Sequence, residues 1–305
     1  MAVERKSYSA VLWAILLVAA FTSIMPFGWI IAGSFKPHLE IQKGRVWPWQ
    51  GYQPSAGEAA SSGQQPTAAQ AAQPEQKYVT GDNYKTIFNE LSGLPTYYFN
   101  TIYLAVCGTF MALLIGSLAA YGFARFRFIG NKALFSMLLL TIMIPAEVML
   151  IGQFELMFQL RLYDKIIGLL IAYTAENLLL IIFIMRNVFV SIPQDLVDAA
   201  MIDGAGTWRV FWDMMVPIGR NGMAAAAILT FLAIWNEFLF ALTFTSMEKV
   251  RTLPVGIVLL KSQWGNMNSG TLFSTVLLSF LPIVIVFLLL QKYFVRGLSA
   301  GALKA

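Results

Sequence analysis

Six apolar runs, each long enough to cross a bilayer as a helix, constrain this chain more than any other feature. A helical span of the ~30 Å hydrocarbon core needs about 20 predominantly apolar residues. The runs cover about Tyr8 to Ile31, Tyr97 to Phe123, Ala133 to Ile151, Ile166 to Met185, Gly222 to Phe244 and Thr271 to Phe294. In lipid the backbone N–H and C=O groups must be satisfied within the protein, and runs of this length do so as helices. With 58% hydrophobic and 12% charged residues, the chain is too apolar for an ordinary soluble domain of 305 residues. The fold class expected is an all-α polytopic membrane protein with six transmembrane helices. Arg5 and Lys6 precede the first run as they would in a signal peptide, but apolar character persists well past Ala19 and Ala20. It is therefore expected to remain as an anchor.

Within the second run, Gly108, Ala112, Gly116, Ala120 and Ala124 recur at every fourth residue. This is one continuous ridge of small side chains. Membrane helices gain most by close backbone approach along such a ridge, so this helix is expected to be central. A kink is expected at Pro145 inside the third run, where a backbone hydrogen bond is lost. Polar residues inside a membrane are costly and face a cavity or each other. Asn236 with Glu237, Glu176 with Asn177, and Glu147 are therefore candidates for a substrate pathway. Each can equally serve as a hydrogen bond fixing one helix to its neighbour.

Between the first two runs, residues 53–76 are dominated by Ala, Gln, Ser, Gly and Pro. Such a composition buries too little apolar surface to offset ordering entropy, so a flexible insertion is expected, removable without loss of folding. Trp47, Trp49 and Tyr52 at its start suit a lipid interface or a partner protein.

Several activities are disfavoured. The net charge of +5 comes without a basic cluster carrying interleaved aromatics, so nucleic-acid binding is not supported. Cys107 stands alone in an apolar run, and His38 is the one histidine, which leaves no disulfide framework and no multi-histidine metal site. The stretch Gly256-Ile-Val-Leu-Leu-Lys261-Ser262 has Leu260 where a phosphate loop needs a second glycine, so the chain is not expected to bind ATP by itself.

The polar stretch from Ser191 to Pro217 reads as two short helices at a bend. Pro193 suits a first helical turn, Gln194 and Asp195 place polar and anionic groups at the positive helix end, and Gly204 can take the left-handed conformation that ends a helix. Thr207 is expected to cap the second helix, and Pro217 to stop it. Ala199 and Ala200 are small enough for a partner surface to come close.

The spacing Asp198-Ala199-Ala200, three residues, Gly204, then an apolar stretch closing in Val216-Pro217 resembles the coupling motif of permease subunits of bacterial ABC importers, with Asp198 where the family usually has Glu. Ile202-Asp203-Gly204-Ala205 and Phe211 fall where the carbohydrate-importer branch has them. Ala120-Tyr-Gly-Phe-Ala-Arg-Phe-Arg-Phe128, Trp235-Asn-Glu-Phe238 and the closing Gly297-Leu-Ser-Ala-Gly-Ala-Leu-Lys-Ala305 resemble the same branch, over about Tyr97 to Lys304. The resemblance is strongest to the smaller maltose-type permease that pairs with a larger sister permease.

That resemblance implies a type I importer permease fold with a cytoplasmic coupling helix, in which Asp198, Ala199, Ala200, Ile202, Asp203, Gly204, Phe211 and Pro217 engage a groove of the ATPase. The implied partners are the sister permease, a dimer of nucleotide-binding subunits holding ATP and Mg, a periplasmic or lipid-anchored substrate-binding protein, and membrane lipids. It implies no cofactor or catalytic residue in this chain. The implied location is the bacterial inner membrane with both termini cytoplasmic. Charge supports this orientation weakly, since eleven of the 21 Lys and Arg lie on the elbow's side.

The expected organisation is 1–33 for the N-terminus and first span, 34–96 for a periplasmic loop, 97–296 for the permease core with a coupling loop at 186–220, and 297–305 for a cytoplasmic tail. A carrier driven by ions or protons, using Glu147, Glu176 and Glu237, is the alternative. It leaves the elbow unexplained. The carbohydrate stays open among maltodextrins, trehalose, glycerol phosphate and alginate.

Overall fold

The computed structural model describes residues 2–37, 41, 79–89, 93–263 and 269–302; the insertion at 53–76 and His38 lie outside them. Among the described residues every regular element is helical. In chain order these are α1 (Ala2–Ser34), α2 (Asp82–Asn89), α3 (Leu94–Arg125), α4 (Asn131–Ile142), α5 (Ala146–Gln159), α6 (Ile166–Val190), α7 (Gln194–Ile202) and α8 (Thr207–Ile218). They continue as α9 (Arg220–Trp235), α10 (Leu239–Phe244), α11 (Leu253–Gln263) and α12 (Ser269–Ala302). Among the described residues four helices (α1, α3, α6 and α12) are long and apolar enough to span a membrane, and the count reaches six when the bent pairs α4–α5 and α8–α9 each serve as one span.

The chain forms two compact units, one of Met1–Ser92 with Leu259–Phe280 and one of Gly93–Val258 with Leu281–Ala305. In the first, buried Asn83 ties the end of α1 to α2. Its Nδ2 donates to the carbonyls of Ser34 at 2.8 Å and Lys36 at 3.0 Å. Ser274 Oγ, on α12, donates to the same Ser34 carbonyl at 2.9 Å.

In the second unit α3 is the axis, packed most extensively on α6 and then on α9. Gly108, Ala112, Gly116 and Ala120 of the small-residue ridge are buried. A Cβ added at Gly116 would come within 2.6 Å of Ile181 Cγ2 on α6, and one at Gly108 within 2.9 Å of Ile234 Cδ1 on α9. Ile181 is fully buried and branched at Cβ, so its side chain is stiff and confined on all sides. Gly116→Leu should therefore separate α3 from α6, and the yield of monodisperse protein in detergent should fall by more than half. Gly122→Ala, where a Cβ meets nothing within 4 Å, should leave the yield unchanged.

Three spans differ from the simple runs read in the sequence. The kink expected at Pro145 is a full break, with α4 and α5 meeting at 100°. Proline removes a hydrogen bond and also drives the residue before it out of the helical region. The fifth span is interrupted at 236–238 and resumes as α10. The stretch of about 25 residues after it is not simply a loop, since it contains a 3₁₀ turn at Glu248–Val250 and then α11. It is tied to α3 by Asn100 Nδ2, which donates to the carbonyls of Lys249 and Arg251, both at 2.9 Å. Finally, α12 runs on through Ala302, so most of the polar tail expected beyond the last span is helical.

Candidate functional site

The elbow is α7, a turn, and α8. Pro193 stands just outside α7 as its N-cap, with ψ 139°, and Asp195 lies in the first turn, where an anion suits the helix dipole. The other end closes as a Schellman motif. Gly204 has φ +85°, Ala205 N–H donates to the Ala200 carbonyl at 2.9 Å, and Gly204 N–H donates to the Met201 carbonyl at 3.0 Å. The left-handed glycine read in the sequence is thus the hinge of the bend. Thr207 does not cap α8: Gly206 occupies the N-cap position with no side-chain cap bond. Pro217 does not terminate α8 either, because it sits in a first-turn position of its last segment (Val216–Ile218), where a missing N–H is tolerated.

The elbow's coupling candidates divide into two sets. Asp198, Ala199, Ile202, Asp203, Gly204 and Pro217 are exposed, Ile202 at 86%. Phe211 is instead 1% exposed and forms an aromatic knot with Tyr121 of α3 at 5.3 Å and Phe189 of α6 at 6.3 Å between ring centroids. Ala200 is partly buried against the same core. Phe211 therefore anchors the elbow from within. The middle of α8, Val210–Met215, is π-helical, and it presents Val210, Phe211 and Met215 to the core while Trp212 and Asp213 stay outside.

A second anchor lies in Arg125, the last residue of α3. Its Nη2 donates to the carbonyls of Phe189 and Ile192 at 2.7 Å each, and its Nη1 donates to Gln194 Oε1 at 2.7 Å. Gln194 Nε2 passes the connection on, donating to Asp198 Oδ1 at 2.9 Å. One guanidinium thus holds the exit of α6, the entrance of α7 and, through an amide, the acidic residue that opens the motif. Linear spacing could not reveal this pairing, because 64 to 69 residues separate the partners. The signal in the sequence is an Arg closing an apolar helix, within the Ala120–Phe128 stretch.

The intramembrane carboxylates sit in the second unit. Glu237 is held at the break in the fifth span. Its Oε1 accepts Phe240 N–H at 2.7 Å, and its Oε2 accepts Ala241 N–H at 3.1 Å and the Tyr173 hydroxyl at 2.6 Å. It caps α10 as a side-chain acceptor and joins it to α6. Asn177 is buried and turned back onto its own helix, donating to the Tyr173 carbonyl at 2.9 Å. Asn236 is exposed and donates to the Leu232 carbonyl at 2.8 Å. Glu147 and Glu176 are exposed. Of the three acids, Glu237 serves the architecture. Tyr173 was not among the candidates, since nothing in an apolar run marks one tyrosine as a tether.

Glu237→Gln keeps the shape but turns an NH₂ toward a donor, leaving one of the three bonds unmade. Loss of such a bond destabilises by about 1–3 kcal/mol. The expected outcome is a lower thermal midpoint in detergent and altered transport, with no proton requirement appearing. Unchanged stability with proton-dependent uptake would reverse the assignment. Among the described residues no group of three or more His, Cys, Asp or Glu side chains is placed to hold a metal ion.

Comparison with known proteins gives the family. The profile described as "Binding-protein-dependent transport system inner membrane component" matches residues 112–300. The trehalose/maltose transport system permease protein MalG of Thermococcus litoralis is 35% identical over 227 residues, 74% of this chain and 81% of that one. The arabinooligosaccharides transport system permease protein AraQ of Bacillus subtilis is 33% identical over 228 residues, 75% of this chain and 80% of that one. A solved bacterial ABC transporter involved in import of the acidic polysaccharide alginate superposes with a TM-score of 0.73 at 22% identity, covering 95% of this chain and 97% of its own, which shows the fold. With its elbow, its ridge-packed axis and this match over most of its spans, the chain belongs to the binding-protein-dependent transport system inner membrane components, as a permease.

Proposed function

We propose that this chain is one of two permease subunits of an ATP-driven importer that moves a carbohydrate, an oligosaccharide or polysaccharide, across the bacterial inner membrane. A periplasmic or lipid-anchored binding protein delivers the substrate, and separate nucleotide-binding subunits hold ATP and Mg. Both termini and the elbow face the cytoplasm in this reading. The carbohydrate class follows from the relatives, whose names specify arabinooligosaccharides, trehalose and maltose.

The observation that carries the proposal is the construction of the elbow. A short helix between spans is rooted in the helix bundle by Phe211 and Arg125, yet it leaves Ile202, Met201 and Leu196 exposed beside Asp198 and Asp203. Apolar side chains on a rigid, solvent-facing helix are what a partner's groove would bury. A linker would have no need of two anchors.

The test is reconstitution in liposomes. Uptake of labelled maltose, trehalose or an arabinooligosaccharide should require the sister permease, the ATPase, the binding protein and internal ATP. Uptake by this chain alone, driven by a proton gradient, would establish the carrier in its place.

A further inference from the structure

A cleft of about 1000 Å³ lies where α3 ends and α4 begins, beside the entrance of the elbow. Arg125, Arg127, Lys132 and Arg186 line it, and no carboxylate does. Arg125 is committed to the elbow, and the Arg186 guanidinium lies over the Phe135 ring at 4.1 Å. Arg127 and Lys132 are exposed, and no ion pair joins either to an acid among the described residues. The N-terminus of α4 opens onto the same cleft through Gly130, Asn131 and Lys132. Gly130 is its N-cap, left-handed at φ +87°, and no side chain caps the helix. Asn131 N–H is taken by the Phe128 carbonyl at 3.2 Å, but the next N–H groups of the first turn favour an anion, and four cations line the cleft they open onto.

The surroundings specify what kind of anion. α4 is apolar, and none of its twelve residues is buried. Met137 and Leu140 are exposed along it, and Ile129, in sequence between the lining residues Phe128 and Gly130, is 104% exposed. An anion seated here stands at the end of a helix whose apolar surface is left uncovered by the rest of the chain. We propose that the cleft binds the phosphate of an anionic phospholipid, with the headgroup among Arg127, Lys132 and the α4 N-terminus and the acyl chains along α4. This goes beyond the transport reading and rests only on α3 and α4 lying in the membrane. A lipid here would sit at the root of the elbow, beside the hydrogen-bonded Arg125–Gln194 pair.

The probes are dioleoyl phosphatidylglycerol, dioleoyl phosphatidylcholine and inorganic phosphate, titrated into the delipidated full chain in detergent and followed by native mass spectrometry. Each Lys or Arg near an anionic lipid contributes roughly fivefold in affinity. Phosphatidylglycerol should therefore bind about 25-fold more weakly to R127Q/K132Q than to the wild type. Phosphatidylcholine should bind both alike, and R127K/K132R, which keeps both charges, should retain at least half the affinity. Both residues are exposed, so folding should survive the neutral pair; coincident thermal midpoints check it. Equal retention of the two lipids by the wild type, or unchanged phosphatidylglycerol binding by R127Q/K132Q, would overturn the proposal. So would full displacement of phosphatidylglycerol by millimolar phosphate, which would make this a site for the free anion.

Discussion

Arg125→Ala should disconnect the elbow from the membrane bundle. Two carbonyls, those of Phe189 and Ile192, lose a charged donor, and Gln194 loses the partner that orients it toward Asp198. Hydrogen bonds to charged groups contribute about 1.5–3 kcal/mol each, so even one fully lost bond is worth a tenfold or greater change in the population of the docked elbow. The assembled importer should retain less than about a tenth of its substrate-stimulated ATP hydrolysis. The Phe211 knot is untouched, so the subunit should still insert and assemble. Arg125→Lys restores the charge without the fork that reaches three acceptors, and should recover only part of the activity. Normal coupling in Arg125→Ala would show that the aromatic knot alone positions α7.

The contrast between these two anchors shows what the residues disclose in linear order. Gly204 was legible because a positive φ at a helix end selects glycine locally, and the alanine and glycine ridge was legible because its period equals the helix repeat. Phe211 stood in the motif, but its burial did not follow from its position, since an aromatic on an elbow can face either a partner or the core. The break at 236–238 carries no proline or glycine. It is supported by Glu237 accepting bonds from α10 and from Tyr173, a residue 64 positions away. The Arg125 clamp is likewise a product of folding α3 beside α6. Features set by backbone geometry within one turn could be read, while those set by side chains meeting across helices could not.

The second large effect concerns the bend and its exposed face. Gly204→Val should abolish coupled transport while Gly204→Asn should leave most of it. A Cβ at Gly204 meets nothing within 4 Å, so the penalty comes from the left-handed backbone alone. That conformation costs an ordinary residue roughly 1–2 kcal/mol, more for a β-branched one, and Asn tolerates it. Ala199→Trp attacks the same function from outside. Ala199 is exposed, so bulk there leaves the elbow's packing intact and holds it out of any groove. Ala200 is less suitable because it packs partly on the core, and a tryptophan there would disturb folding as well. Uptake in Ala199→Trp should fall below about a tenth of wild type, as when bulk enters the centre of an interface. Subunit assembly in detergent should be normal in both variants that fail.

The most direct measurement places a single cysteine at Ala199, with Cys107 replaced by Ser, in the complete importer in inverted membrane vesicles. A short bifunctional reagent should join this subunit to the nucleotide-binding subunit, with a yield that changes when ATP is added, and to no periplasmic component. Full accessibility of that cysteine with no crosslink to the ATPase, while ATP-driven import proceeds at the normal rate, would contradict the coupling role of α7 and leave the elbow a connector between two spans.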